Sequence, residues 1–169
     1  MMDTSLIARL LCDRGLMPVP ASADELGAFS RVMSHRGIAG YLSACLTQTG
    51  FAASGVRVKS LPQLREENGE DSAPGGFIFP FGYLVVATSV GGNAICFSAG
   101  DGKVYWADHT AFDGNEVAIQ NRKTQEWSYL PFSETNIPKA LELLDDDMGH
   151  FLCRLLQDEL DADLEALDT

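Results

Sequence analysis

Several groups of residues have the types that chemistry needs. Cys96, Asp108 and His109 suggest a thiol nucleophile, an orienting carboxylate and a general base, since neighbouring strands would bring them together. Cys96 lies inside Ala94-Ile95-Cys96-Phe97, however, and an apolar strand disfavours the thiolate that such a hydrolase uses. A core cysteine is the preferred reading. Gly100-Asp101-Gly102-Lys103 has the ending of a phosphate loop, but that pattern needs glycine where Phe97 stands and Ser or Thr where Val104 stands. Asp-Gly between apolar runs is instead a hairpin signal. Asp145-Asp146-Asp147-Met148-Gly149 lacks the alternating ligands and closing glutamate of a calcium loop, and reads as a helix cap where carboxylates meet free N–H groups. His35, His109 and His150 form no zinc-type pair, and Cys12, Cys45, Cys96 and Cys153 include no Cys-x-x-Cys. The expectation is a chain without metal or cofactor and without catalysis.

These residues need elements to hold them. Residues 77–109 read as three or more antiparallel strands: 77–79, 83–89, 93–98 and 103–108, with turns at Gly91-Gly92-Asn93 and Gly100-Asp101-Gly102, where positive φ is cheapest. The run 83–90 is apolar almost throughout, which predicts a central strand covered on both faces. Before it come a helix over 4–16 capped by Asp3 or Thr4, and a second over 22–34 after Met17-Pro18-Val19-Pro20 breaks the first. Gly37 to Tyr41 interrupts the helical pattern, and 41–46 fits either a third helical piece or a buried segment. A short strand at 56–59 precedes a capping-box helix over 61–68, and 69–76 reads as a mobile polar loop. Residues 116–119 suggest a further strand, and 126–132 an edge strand or aromatic plug. Helices over 137–144 and 148–167 close the chain, the second with an apolar stripe from Met148 to Leu164. The predicted fold is one α+β domain over 1–169, a mostly antiparallel meandering sheet of about four to six strands with helices at both ends.

Composition narrows the partners. A chain of 169 residues, 46% hydrophobic and 21% charged, suffices for one core. A formal net charge of -12 opposes binding to nucleic acid or an anionic membrane, both of which need Lys and Arg. Residues 140–169 hold ten of the acids against Arg154 alone, which reads first as a solvated helix face. No apolar run approaches the roughly 20 residues of a membrane helix, and with no signal-peptide pattern the expected location is the cytoplasm, with reduced thiols. On the strand 103–108, Val104 and Trp106 face one side and Tyr105 and Ala107 the other. Tyr105, Trp106, Asp108, His109, Asp113 and Glu116 form the candidate partner-binding surface, aromatic and acidic as binding hot spots often are. Packing of Trp106 and Trp127 in the core is the competing reading.

Three stretches, Gly82-Tyr83-Leu84-Val85-Val86-Ala87, Gly91-Gly92-Asn93-Ala94-Ile95-Cys96-Phe97 and Gly102-Lys103-Val104-Tyr105-Trp106-Ala107-Asp108-His109, resemble the SUKH superfamily, which includes a yeast cell-wall-synthesis regulator and many bacterial immunity proteins. Leu61-Pro62-Gln63-Leu64 with Asn68-Gly69 is similar to that family's Leu-Pro helix and Asn-Gly turn. The resemblance covers about 60–156, and residues 1–55 match none of its motifs. It implies a cytoplasmic protein that neutralises a polymorphic toxin, often a basic nuclease, by binding it. An intracellular scaffold for a peptide or small ligand is the alternative.

Overall fold

The computed structural model describes residues 2–121 and 123–167. Asp168 and Thr169, the end of the expected acidic terminus, lie outside them.

Helix α1 (Thr4–Asp13) starts where the Asp3 carboxylate accepts from Ser5 N–H and Leu6 N–H, satisfying donors that have no partner in the helix. It stops at Gly15, whose φ of +73° lets Leu16 N–H reach back to Leu11 O and Gly15 N–H to Cys12 O. The predicted second helix is broken into α2 (Ala23–Leu26), a 3-10 turn at Gly27–Phe29, and α3 (Ser30–Met33). Helix α4 (Arg36–Ala44) runs straight through Gly37 and Gly40, where the sequence suggested an interruption. Each glycine costs about 1 kcal/mol in a helix, but Ile38, Tyr41 and Leu42 are almost fully buried and outweigh that cost.

Strands β1 (Phe51–Ala53) and β2 (Val56–Val58) form a hairpin that leads into α5 (Leu61–Glu67), whose first turn is closed by Ser60 N–H donating to Gln63 Oε1 at 2.8 Å. The segment 69–76, expected to be mobile, is exposed at Glu70, Asp71 and Ala73 but tightly packed at its Pro74–Gly76 end. A Cβ on Gly75 would lie 1.9 Å from Glu67 O, and one on Gly76 would lie 2.1 Å from Gly69 O. Backbone fills the space. Gly75→Ala is therefore expected to cost at least about 1–3 kcal/mol, the range for forced overpacking, read as a lowered urea midpoint.

Residues 77–79, predicted as a strand, are helical instead: α6 (Gly75–Ile78) passes into a 3-10 turn at Phe79–Phe81. Phe77 packs beside Phe132 with ring centroids 5.5 Å apart, while Phe79 meets Phe29 edge-on at 6.2 Å. The two rings enter different cores, whereas a strand would have put them on one face.

Strands β3 (Tyr83–Ser89), β4 (Ala94–Ser98) and β5 (Val104–Ala107) meander through tight turns as expected. Val86 is an extra residue on β3, between the pairs Val85↔Cys96 and Ala87↔Ile95, which increases local twist. After a 3-10 turn at His109–Ala111 come β6 (Phe112–Asp113), β7 (Glu116–Gln120) and β8 (Trp127–Pro131). The predicted helix over 137–144 is a 3-10 turn at Ile137–Ala140 followed by β9 (Leu141–Asp145), antiparallel to β5. An open edge on β5 exposes unpaired backbone, and β9 covers it. The last predicted helix divides into α7 (Met148–Leu156) and α8 (Asp161–Leu167). Asp147 Oδ1 caps α7 by accepting from His150 N–H at 2.8 Å, the role expected of the aspartate run.

The six-stranded antiparallel sheet has the order β1-β2-β3-β4-β5-β9, and the small sheet the order β6-β7-β8. The fold is α+β. Leu84, Val86, Phe97 and Trp106 on one face of the large sheet pack with Ile7, Leu42, Phe151 and Leu155 of the helices. On the other face Val85, Cys96 and Ala107 pack with Phe112, Val117 and Ile137. The small sheet thus lies across the face that the long helices leave open, and its outer side is turned to solvent.

Candidate docking surface

The small sheet alternates cleanly. Phe112 pairs with Val117 and Val117 with Leu130, and these side chains point into the second core. The intervening residues must point outward: Asp113 and Glu116, then Ala118 opposite Tyr129, and Gln120 opposite Trp127. Gly114, at φ +58°, permits the two-residue turn that sets Asp113 against Glu116. The β7–β8 connection is held by Asn121, whose N–H donates to Glu126 O at 2.8 Å and whose carbonyl accepts from Gln125 N–H at 2.7 Å.

Trp127 is 49% and Tyr129 64% exposed. Ala118 leaves room between them, and a hollow of 390 Å³ is lined by Thr110, Asp113, Glu116, Ala118, Trp127 and Tyr129. On the other side of Trp127 a second hollow of 320 Å³ reaches Asp108, Lys139 and Glu142. Asp113 and Glu116 are directly paired like charges, an arrangement that destabilises a sheet. Among the described residues neither forms a salt bridge. The outer face therefore combines two aromatic rings with carboxylates that form no salt bridge among the described residues.

The expected surface residues are distributed unevenly about this face. Asp113 and Glu116 are on it, and Asp108 lies at the second hollow, where its carboxylate accepts from Thr110 N–H at 2.9 Å and Thr110 Oγ1 at 2.7 Å. His109 turns toward the β3–β4 hairpin, with Nδ1 3.0 Å from Asn93 Oδ1. Tyr105 is half-buried against Tyr83 and hydrogen-bonded to Asp101. Burial and the Asp101 carboxylate raise its phenol pKa. Trp106 requires correction: it is 3% exposed and packs with the helices, so it cannot touch a partner. The aromatic rings exposed on this face are Trp127 and Tyr129, which the sequence offered only as an edge strand or plug. The signal was their spacing of two in Trp-Ser-Tyr-Leu-Pro, opposite the alternation of Glu-Val-Ala-Ile-Gln.

The thiol relay is not assembled among the described residues. Cys96 is fully buried in the second core, and burial pushes its pKa to about 12, with Tyr105 rather than His109 as its strand partner. Cys45 is likewise raised by burial, to about 11, whereas Cys12 is exposed. Iodoacetamide at pH 8 is expected to modify Cys12 first and to leave Cys45 and Cys96 unmodified in the folded chain, as read by peptide mass spectrometry. Both raised values also set an alkaline limit. Buried thiols stay neutral while those of the unfolded chain ionise, so stability present below pH 9 declines as pH rises toward 11 or 12.

Among the described residues, no cluster of three His, Cys, Asp or Glu side chains is placed to hold a metal ion, and no helix is long and apolar enough to cross a membrane. A further hollow, of 630 Å³ between the β1–β2 turn, Val90 and α8, carries Asp161 and Glu165 but no aromatic ring. No protein-family model, curated protein or solved structure matches the chain.

Proposed function

We propose that this chain is a non-catalytic binding protein that docks a basic protein partner on the outer face of its small sheet. The observation that carries the reading is the exposed Trp127 and Tyr129 pair beside the opposed carboxylates Asp113 and Glu116. Aromatic anchors supply contact area at small cost in rotamer entropy, and uncompensated carboxylates steer a cationic partner into register. The SUKH resemblance of the 82–109 strands supports a narrower reading: an immunity protein acting in the cytoplasm, whose partner is a basic toxin domain, such as a nuclease, that it occludes.

The test uses any toxin domain found encoded beside its gene and measures affinity by titration calorimetry at several salt concentrations. Trp127→Ala and Tyr129→Ala are each expected to weaken binding by roughly 30- to 1,000-fold, the equivalent of about 2–4 kcal/mol at a hot spot. Glu116→Lys should slow association and flatten the salt dependence. Affinity indifferent to all three substitutions would remove the small sheet from the reading, and absence of binding at low and high salt would remove the immunity role.

A further inference from the structure

The docking surface has a main-chain component. In an antiparallel pair, residues that exchange backbone hydrogen bonds alternate with residues whose N–H and C=O point away from the partner strand. The bonds Phe132 N–H to Asn115 O and Asn121 N–H to Glu126 O set the phase at the two ends of β7–β8. With the observed register, Val117 with Leu130 and Ile119 with Ser128 are then the bonded pairs. Trp127, Tyr129 and Pro131 consequently direct their backbone groups away from β7.

Strand β8 is the last of its sheet, so those groups lie on an open edge. Pro131 has no N–H, and its carbonyl accepts from Asn136 Nδ2 at 3.0 Å. The N–H and C=O of Trp127 and of Tyr129 remain, on the same two residues whose rings stand out from the outer face. Sheets normally blunt an open edge with lysine, proline or a bulge. Trp127-Ser128-Tyr129-Leu130 contains no charge and no proline, and its register with β7 is unbroken. Only the Pro131 end is protected.

We infer that β8 is extended by strand addition: a protein partner supplies an extended segment of alternating basic and apolar residues that pairs with Trp127 and Tyr129. Its basic side chains share the outer face with the two rings, where a cation over an aromatic face is favoured, and with Glu116, which stands opposite Pro131 on the neighbouring strand. Its apolar side chains extend the inner layer that begins at Leu130. Charge decides against a second copy as occupant. Two chains of net charge -12 joined edge to edge would set the same carboxylates against each other. The inference rests on the reading that the chain binds a basic protein, and adds how it does so.

The intact chain is titrated at low salt with a capped octapeptide of alternating lysine and valine. Two further versions are N-methylated at all lysines or at all valines, and a fourth replaces lysine by glutamate. Strand addition presents one parity of peptide amides to β8. One methylated peptide should therefore bind at least tenfold more weakly than the parent and the other nearly as well. The parent should also slow hydrogen exchange at the Trp127 and Tyr129 amides at least tenfold, while the glutamate peptide should not bind. If both methylated peptides match the parent, or exchange at the two amides is unchanged, strand addition is wrong while basic-partner docking stands. If no lysine peptide binds, or the glutamate peptide binds equally well, both readings fall. Sedimentation of the chain alone covers the remaining occupant: a dimer that the parent peptide dissociates would assign the edge to a second copy and overturn the inference.

Discussion

Arg154→Leu is expected to destabilise the fold by about 3–5 kcal/mol, the range for leaving a buried charge without its partner. Arg154 is the only Lys or Arg among residues 140–169, and its guanidinium divides between two elements. One nitrogen donates to Asp145 Oδ2 at 3.3 Å and the other to Asp163. The two bonds differ in weight. Asp163 is half exposed, so solvent screens that arm and its loss should cost little. The Asp145 side chain is 1% exposed at the end of β9, and without Arg154 its carboxylate keeps no guanidinium, only a long bond from Asp147 N–H at 3.5 Å and His150 Nδ1 at 2.7 Å on a ring 61% exposed, among the described residues. A typical domain has about 5–15 kcal/mol of stability in total, so the variant should sit close to unfolding at 37 °C. A second substitution separates charge from packing: adding Asp145→Asn to Arg154→Leu should restore much of the urea midpoint, because a neutral amide no longer needs a cation. If the double variant is no more stable than the single one, the arginine acts through its aliphatic stem and the electrostatic account is wrong.

The same contacts show what could and could not be read from the chain. The excess of acid in 140–169 was plain in the composition, but its organisation depends on β9, which sequence spacing disguised as a helix. Ile137, Leu141 and Leu144 fit a helical stripe, yet Leu141 and Leu143 pair with Ala107 and Tyr105, more than thirty residues earlier in the chain. Such pairing is non-local, and local periodicity carries no record of it. The hairpins of β3–β5 were legible because glycine turns and apolar runs are local signals. The close packing at Gly75 and Gly76 was not, because these glycines are required by the approach of Glu67 O and Gly69 O, and glycine in a polar stretch looks the same whether it frees the chain or admits another backbone.

The candidate docking surface divides along the same line. Asp113 and Glu116, expected at the surface, flank a turn and stand on the outer face. Trp106 and Trp127 are the same residue type in similar alternating strands, but β5 lies inside a six-stranded sheet under helices and β8 on the edge of a three-stranded one. Only the assembled layers decide which tryptophan is core. Once they do, the exposed rings and the open backbone edge fall on the same residues of β8, an overlap invisible while that stretch could be either strand or plug.

Asn68→Ala is expected to cost roughly 2–6 kcal/mol, at about 1–3 kcal/mol for each buried polar group left without a partner. Asn68 sits at the end of α5 and works as a one-residue strand. Its Oδ1 accepts from Val85 N–H at 2.8 Å, and its Nδ2 donates to Val85 O and to Leu64 O, each at 2.9 Å. Strand β2 pairs with β3 only over Val56 to Val58, and the side-chain amide serves Val85 where that pairing has ended. Truncation leaves the N–H and C=O of Val85 unpaired beside the bulge at Val86. The aspartate variant tests the hydrogen-bond pattern more sharply. Asn68→Asp keeps the acceptor but loses both donors and turns an anion toward two carbonyl oxygens, so burial and those oxygens should raise its pKa above the usual value of about 3.9. A carboxyl with a raised folded pKa favours folding below the unfolded value and loses that contribution as pH rises through the folded one. Relative to the parent chain, Asn68→Asp should therefore be least destabilised near pH 4 and most destabilised near pH 7, as measured by urea midpoints. A deficit that shrinks with rising pH would show that the carboxylate is accommodated and that Val85 does not need the two donors. Hydrogen exchange supplies the local readout: the Val85 amide should lose protection in Asn68→Ala and retain more in Asn68→Asp, which still offers it an oxygen.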